Sequence, residues 1–252
     1  MNEILQVAMF AGQMILENGG ETYRVEETIW RICKIYGADE AESFATPTGI
    51  MASICHQGKT YSLTRRVSNR TVNLDKIDKV NDLSRSIQSK KLSVSDFKME
   101  LDKINNLNTY SFLIVILFSG LAAGSFSILF GGNFKDAFSA FLIGLVIKGL
   151  ALKWSDVGIN TFFINSICGG ITALLAIIFF KLGISSQINQ TIIGSIMLLV
   201  PGLAITNAIR DTMSGDLLSG IIRASEAFLV AISIAVGTGA VLSFWISNLG
   251  GV

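Results

Sequence analysis

A chain of 252 residues with a mean hydropathy of +0.55 is too apolar for an ordinary soluble protein, although only 50% of its residues are hydrophobic. A net charge of +1, balanced within the polar part, leaves no electrostatic footprint for a nucleic-acid partner. Cys33, Cys55 and Cys168 lack the paired spacing of a disulfide scaffold or a zinc site, so they read as reduced structural thiols and no metal or cofactor is expected.

Charge is segregated along the chain. Residues 1–109 carry 28 of the 39 charged side chains, and the following 143 residues carry 11. This predicts a small α+β domain over 1–109 followed by an α-helical integral membrane domain over 110–252. The start, Met1-Asn2-Glu3, has no basic n-region of a secretory signal, so the polar domain is expected in the cytoplasm.

In the polar part, Ile4, Leu5, Ala8, Met9, Gly12, Ile15 and Leu16 recur at helical spacing, and Asn18-Gly19-Gly20 supplies a stop. A second helix is predicted over 22–36, with Glu21, Glu26 and Glu27 near its start. Strands are predicted over 43–46, 50–56 and 60–67, with a tight turn at Gln57-Gly58 and another at Asn69-Arg70. Helices over 75–89 and 93–106 follow, the second opened by Ser93 with Asp96 in a capping-box spacing. His56, the single histidine, has Ser53 three residues before it, but no nucleophile elbow accompanies them. A hairpin histidine beside its turn is the simpler reading.

Five apolar segments, at about 110–130, 134–152, 159–180, 191–209 and 228–246, are near the ~20 residues that cross a bilayer. With the polar domain inside, the cytoplasmic side receives Lys148, Lys153, Arg210 and Arg223, and the outer loops receive Lys135 and Lys181. Five spans then put the C-terminus outside. Gly120 and Gly124, Gly169-Gly170, and Gly237 with Gly239 permit close helix approach, read here as packing within the subunit.

The stretch Pro201 to Ala227 interrupts these spans with polar groups. Pro201 and Gly202 break the helix. Thr206, Asn207, Arg210 and Asp211 lie three or four positions apart, and Ser219, Arg223 and Glu226 form a second such set after Gly215-Asp216. An arginine fork suits a carboxylate, and an aspartate can carry a proton or hold an ammonium group. Thr206, Asn207 and Arg210 are the candidate substrate-binding residues. Asp211, Asp216, Arg223 and Glu226 are candidates for proton coupling or gating, although a salt bridge to Glu226 would explain Arg223. The bland alternative is a cytoplasmic connection whose charges pair locally.

The string TNAIRD, then GD, SG and R-x-x-E-A, resembles the signature region of the threonine/serine exporter family. ENGGETYRVEET and TPTGI resemble the polar N-terminal region of the same family. In the polar part the matching positions are Glu17, Gly20, Glu21, Thr22, Arg24, Glu26 and Thr46 to Gly49. The resemblance implies a subunit of a secondary transporter that exports threonine- or serine-like amino acids from the cell membrane, driven by the proton motive force. It also implies the split form, in which a second, smaller membrane subunit resembling the C-terminal half of fused members is the partner. An odd span count would make that second unit an inverted repeat. Export of a dicarboxylate such as succinate stays open, because Arg210 and Arg223 would supply two cations if the loop folds back. An enzyme is not expected, since residues 1–109 show no acid, base and nucleophile set. The competing readings are a membrane-anchored enzyme with a catalytic polar domain, and a regulatory domain that gates the pore.

Overall fold

A computed structural model describes residues 1–107 and 110–249. The described chain divides into two compact units. One joins the N-terminal polar region to Gly202–Ser225, and the other joins the apolar helices up to Pro201 to the chain from Glu226 onward.

The polar unit begins with α1 (Asn2–Glu17) and α2 (Thr22–Ile35), followed by β1 (Glu40–Thr46), β2 (Gly49–His56) and β3 (Lys59–Arg66). The strands form an antiparallel meander in the order β1-β2-β3. Alternation along them places Ala41, Ala45, Ile50, Ala52 and Ile54 on the covered face. The β2–β3 hairpin closes on Gln57 and Gly58, both at positive φ (49° and 74°), the twist-matched two-residue turn. The turn expected at Asn69-Arg70 does not form. Residues 67–73 run without a turn, because Thr71 and Asn73 donate their backbone N–H groups to the carbonyls of Glu17 (2.7 Å) and Asn18 (3.0 Å).

Helices α3 (Leu74–Lys90) and α4 (Val94–Asn105) complete the N-terminal part, each started by a side-chain cap, Asn73 and Ser93. Leu5, Met9, Ile15, Ile29, Ile32, Phe97 and Leu101 are fully buried in its single apolar core. Burial pushes the Cys33 thiol up to about 12, as expected of a structural cysteine. The unit also takes in α9 (Gly202–Met213) and the first residues of α10 (Leu217–Leu249).

The apolar unit contains α5 (Phe112–Leu129), α6 (Phe134–Asp156), α7 (Thr161–Lys181), α8 (Ile188–Ile196) and the greater part of α10. Gly120 and Gly124 bring α5 onto α6, where an added Cβ would meet Leu145 at 2.7 Å and the Ala137 carbonyl oxygen at 2.9 Å. This glycine pair is used for packing inside the chain. Asp136, in the first turn of α6, is fully buried. Its carboxylate accepts hydrogen bonds from the Ser185 hydroxyl (2.9 Å) and the backbone N–H groups of Ser186 (2.7 Å), Gln187 (2.8 Å) and Asn133 (3.0 Å). Four donors satisfy the buried anion and pin the α7–α8 connection to the start of α6.

Among the described residues, four helices are long and apolar enough to cross a membrane: Phe112–Leu129, Phe134–Asp156, Thr161–Lys181 and Leu217–Asn248. The expectation of five continuous spans is corrected at 191–209. That segment is not one helix but α8, a turn over residues 197–200, and α9 beyond Pro201. Proline supplies no amide hydrogen and disfavours the α conformation of the residue before it, so the helix stops there. The last span is longer than the expected 228–246, because the helical pattern continues back through the charged residues to Leu217.

Candidate functional site

The site is assembled within the polar unit from two stretches about 190 residues apart. The first is the α1–α2 turn. Gly19 sits at φ +94°, a conformation that costs a side-chain-bearing residue, and a Cβ on Gly20 would lie 2.9 Å from the Ile15 carbonyl oxygen. Only glycines make this turn without strain, and it leaves their two carbonyls to be satisfied by side chains from elsewhere. Asn207 donates its amide to the Gly19 carbonyl at 2.8 Å. Arg223 donates from Nη2 to the Gly20 carbonyl at 2.7 Å.

Helix α2 starts without a local cap, since the Glu21 side chain makes no capping bond. The Asp211 carboxylate takes that place and accepts from the Thr22 backbone N–H at 3.1 Å. A carboxylate there satisfies an orphan donor and meets the positive end of the helix dipole. The Thr22 hydroxyl donates to Asp216 Oδ2 at 3.2 Å.

The second stretch is α9 with the start of α10. Asp211 and Arg223 form a buried ion pair, Oδ2 to Nε 2.9 Å, with side chains 0% and 6% exposed. Arg210 points elsewhere. Its Nη1 lies 2.6 Å from Glu21 Oε1, and its side chain is 55% exposed against 7% for Glu21. The other oxygen of the same carboxylate accepts from Arg24 Nε at 2.9 Å. Burial pulls the Glu21 pKa up, but the hydrogen bonds from its own backbone N–H, Arg210 and Arg24 outweigh it and hold the carboxyl below its ordinary value.

Glu26, one turn into α2, behaves oppositely. Burial and the nearby Asp216 and Asp211 charges raise its pKa, partly offset by the hydrogen bond it accepts from the Ala45 N–H at 2.7 Å. The Ala45 carbonyl accepts from the Ser219 hydroxyl at 3.3 Å, which brings the residue before Thr46-Pro47 to the same cluster.

Of the residues singled out from sequence, Asn207, Arg210, Asp211, Asp216 and Arg223 therefore converge on the α1–α2 turn. Thr206 does not. It is exposed, and its hydroxyl bonds back to the Gly202 carbonyl of its own helix at 3.0 Å. Pro201 and Gly202 form the break before α9, and half-buried Glu226 lies in α10 beyond Arg223. The other half of the cluster, Glu21, Thr22, Arg24 and Glu26, was not among the candidate site residues. Spacing along one helix could not reveal it, because its partners are contributed by another part of the chain.

His56 stands with Nδ1 3.8 Å from the Asp39 carboxylate, while Ser53, three residues away on β2, faces the opposite side of the sheet. No Ser–His pair is formed. Among the described residues, no group of three His, Cys, Asp or Glu side chains is arranged to hold a metal.

Chemically, the cluster offers one exposed and one half-buried arginine engaged with the same carboxylate, beside a buried ion pair that holds the α1–α2 turn. The chain matches the family model described as "Putative threonine/serine exporter" over residues 6–245. It is similar to the "Probable succinate transporter subunit YjjP" of Klebsiella aerogenes, 25% identical over 92% of this chain and 90% of that relative. It is also similar to the "Threonine/serine exporter" of Corynebacterium glutamicum, 26% identical over 69% of this chain but 36% of that relative. The "Probable threonine/serine exporter" of Mycobacterium tuberculosis is 22% identical over 93% of this chain and 45% of its own length. No solved structure matches.

Proposed function

This chain belongs to the threonine/serine exporter family, and from that premise we propose that it is one subunit of a secondary transporter. Its task is to move threonine- or serine-like amino acids out of the cell, coupled to the proton motive force. The observation that carries the reading is Arg210, an exposed guanidinium that already holds a carboxylate in the segment joining two apolar parts of the chain. An arginine fork binds a substrate carboxylate by the same paired hydrogen bonds. Asp211 is committed to Arg223 and the α2 N-terminus, so Asp216, with one hydroxyl donor in the cluster, is the better candidate for a coupling proton. Asn207 and Thr206 act indirectly, through the turn and through α9.

We read the two parts of the polar unit, before α5 and after Pro201, as lying on one side of the membrane, which puts an even number of crossings between them. In this reading α5, α6 and α7 make three crossings, and α8 with its turn, too short to span as one helix, is assigned the return to the side of the polar unit. We place the polar unit in the cytoplasm, in keeping with the basic residues, and α10 as the fifth crossing carries the C-terminus outside. Broken, short segments of this kind are where transporters place polar routes. The smaller second subunit is the proposed partner, supported by amino-acid exporters that are two to three times longer than the stretch this chain matches.

A second reading, a dicarboxylate exporter, is favoured by one observation: the succinate-transporter relative is matched over 90% of its length. The test is efflux from cells that express the chain with its partner subunit, loaded with a threonine-containing dipeptide or with succinate. Faster release of threonine supports the first reading and faster release of succinate the second. Release unaffected by Arg210→Ala and by an uncoupler removes the mechanism.

A further inference from the structure

We infer that Arg24 and Arg210 form a carboxylate-binding pair, and that Glu21 occupies it as a built-in competitor which the ligand's carboxylate displaces. The inference rests on the exporter reading and deepens it by naming the second cation and the occupant.

The geometry begins with one carboxylate between two guanidinium groups from different helices. Glu21 Oε1 meets Arg210 Nη1 of α9 at 2.6 Å, and Oε2 meets Arg24 Nε of α2 at 2.9 Å. The carboxylate is nearly buried, whereas the side chains holding it are 55% and 30% exposed. The two arginine side chains thus remain partly open to solvent while the acid they hold is nearly covered. That is the arrangement of an occupied anion site rather than of a surface ion pair, where both partners would be exposed.

Arg223, the second cation that the sequence suggests, is buried away from Glu21. Arg223 is 6% exposed, paired with Asp211 and donating to the Gly20 carbonyl. Arg24 is the second cation within reach. Asp211, meanwhile, caps α2 in place of Glu21, so the start of α2 keeps a carboxylate when the Glu21 side chain leaves. Glu21 can therefore swing away without uncapping the helix. Two cations facing one exchangeable carboxylate suit the carboxylate of an amino acid or one end of a dicarboxylate equally well.

A site blocked by its own side chain binds ligand more weakly by the fraction of time it is open; a site open a tenth of the time loses about tenfold in apparent affinity. The experiment titrates the full-length chain in detergent with succinate and, separately, with L-threonine, by calorimetry. Glu21→Gln keeps the shape and removes the charge, so it is expected to bind the preferred probe about tenfold tighter than the unaltered chain. Arg24→Lys in the Glu21→Gln background, which loses the planar fork, is expected to reverse most of that gain.

Whichever probe shows the gain identifies the ligand class. Equal or weaker binding by Glu21→Gln overturns the inference, as does absence of binding to both chains. If Glu21→Gln does not fold, Glu21→Asp, which keeps the charge but is one methylene short of spanning both arginines, must show the tightening. No tightening there overturns the inference as well. The exporter reading stands or falls separately, on efflux by the unaltered protein.

Discussion

At the scale of single residues, the decisive feature is how completely Asp211 is used. It pairs with buried Arg223 and accepts from the Thr22 N–H. Asp211→Ala deprives a buried guanidinium of its compensating carboxylate, a change that costs about 3–5 kcal/mol in comparable sites. It should show as a large drop in the denaturation midpoint of the purified protein, whereas Thr206→Ala, at an exposed position, should shift that midpoint little.

Two acids of the same cluster give opposite pH responses. The Glu21 pKa is depressed in the folded state, so its stabilisation is present above its ordinary value of 4.5 and is lost as pH falls through the lower folded value. The Glu26 pKa is raised, so its contribution is full below 4.5 and is lost as pH rises through the higher folded value. Glu26→Gln should therefore raise the thermal midpoint at neutral pH and leave it unchanged near pH 4. Thermal melts of both proteins across that range check the sign.

At the scale of elements, small residues decide which helices can touch. An alanine Cβ at Gly237 of α10 would drive into the Ser166 carbonyl of α7, while at Gly239 nothing lies within 4 Å. The two glycines look equivalent in sequence, yet only one lies at a contact. Gly237→Ala is expected to cost about 1–3 kcal/mol by overpacking, and Gly239→Ala close to nothing. Denaturation midpoints of the two single variants give the comparison.

The same reasoning explains α10. Its 33 residues extend for about 50 Å, well beyond the ~30 Å of hydrocarbon, so one helix has length enough both for the charged cluster at its start and for a full crossing.

At the scale of the whole molecule, the chain is a member of a transporter family. The parity argument predicts that the C-terminus lies on the side opposite the polar unit. A protease-cleavable tag placed after Val252 should be cut from outside in intact spheroplasts, and a tag before Met1 should be protected. A C-terminal tag that is also protected would overturn the five-crossing arrangement.

A division at residue 109 gives no sign that Gly202–Ser225 joins the polar unit, but composition and periodicity alone located the helices and strands of the N-terminal region and the break at Pro201. Each of these is local: apolar spacing, turn residues and the missing amide of proline act within a few positions of themselves. The resemblance of TNAIRD and ENGGET to one family marked both halves of the site, but not that they meet. Arg210 to Glu21, Asn207 to Gly19 and Asp211 to Thr22 are all contacts between residues more than 180 positions apart. Nothing in the chemistry of either string selects the other until the fold brings the two glycine carbonyls and the uncapped start of α2 against α9. Tertiary structure alone decided that Arg223 is spent on a buried pair and that Arg24 stands beside Arg210. Burial removes Arg223 from solvent and leaves Arg24 half-buried and Arg210 exposed, and burial is a property of the packed chain.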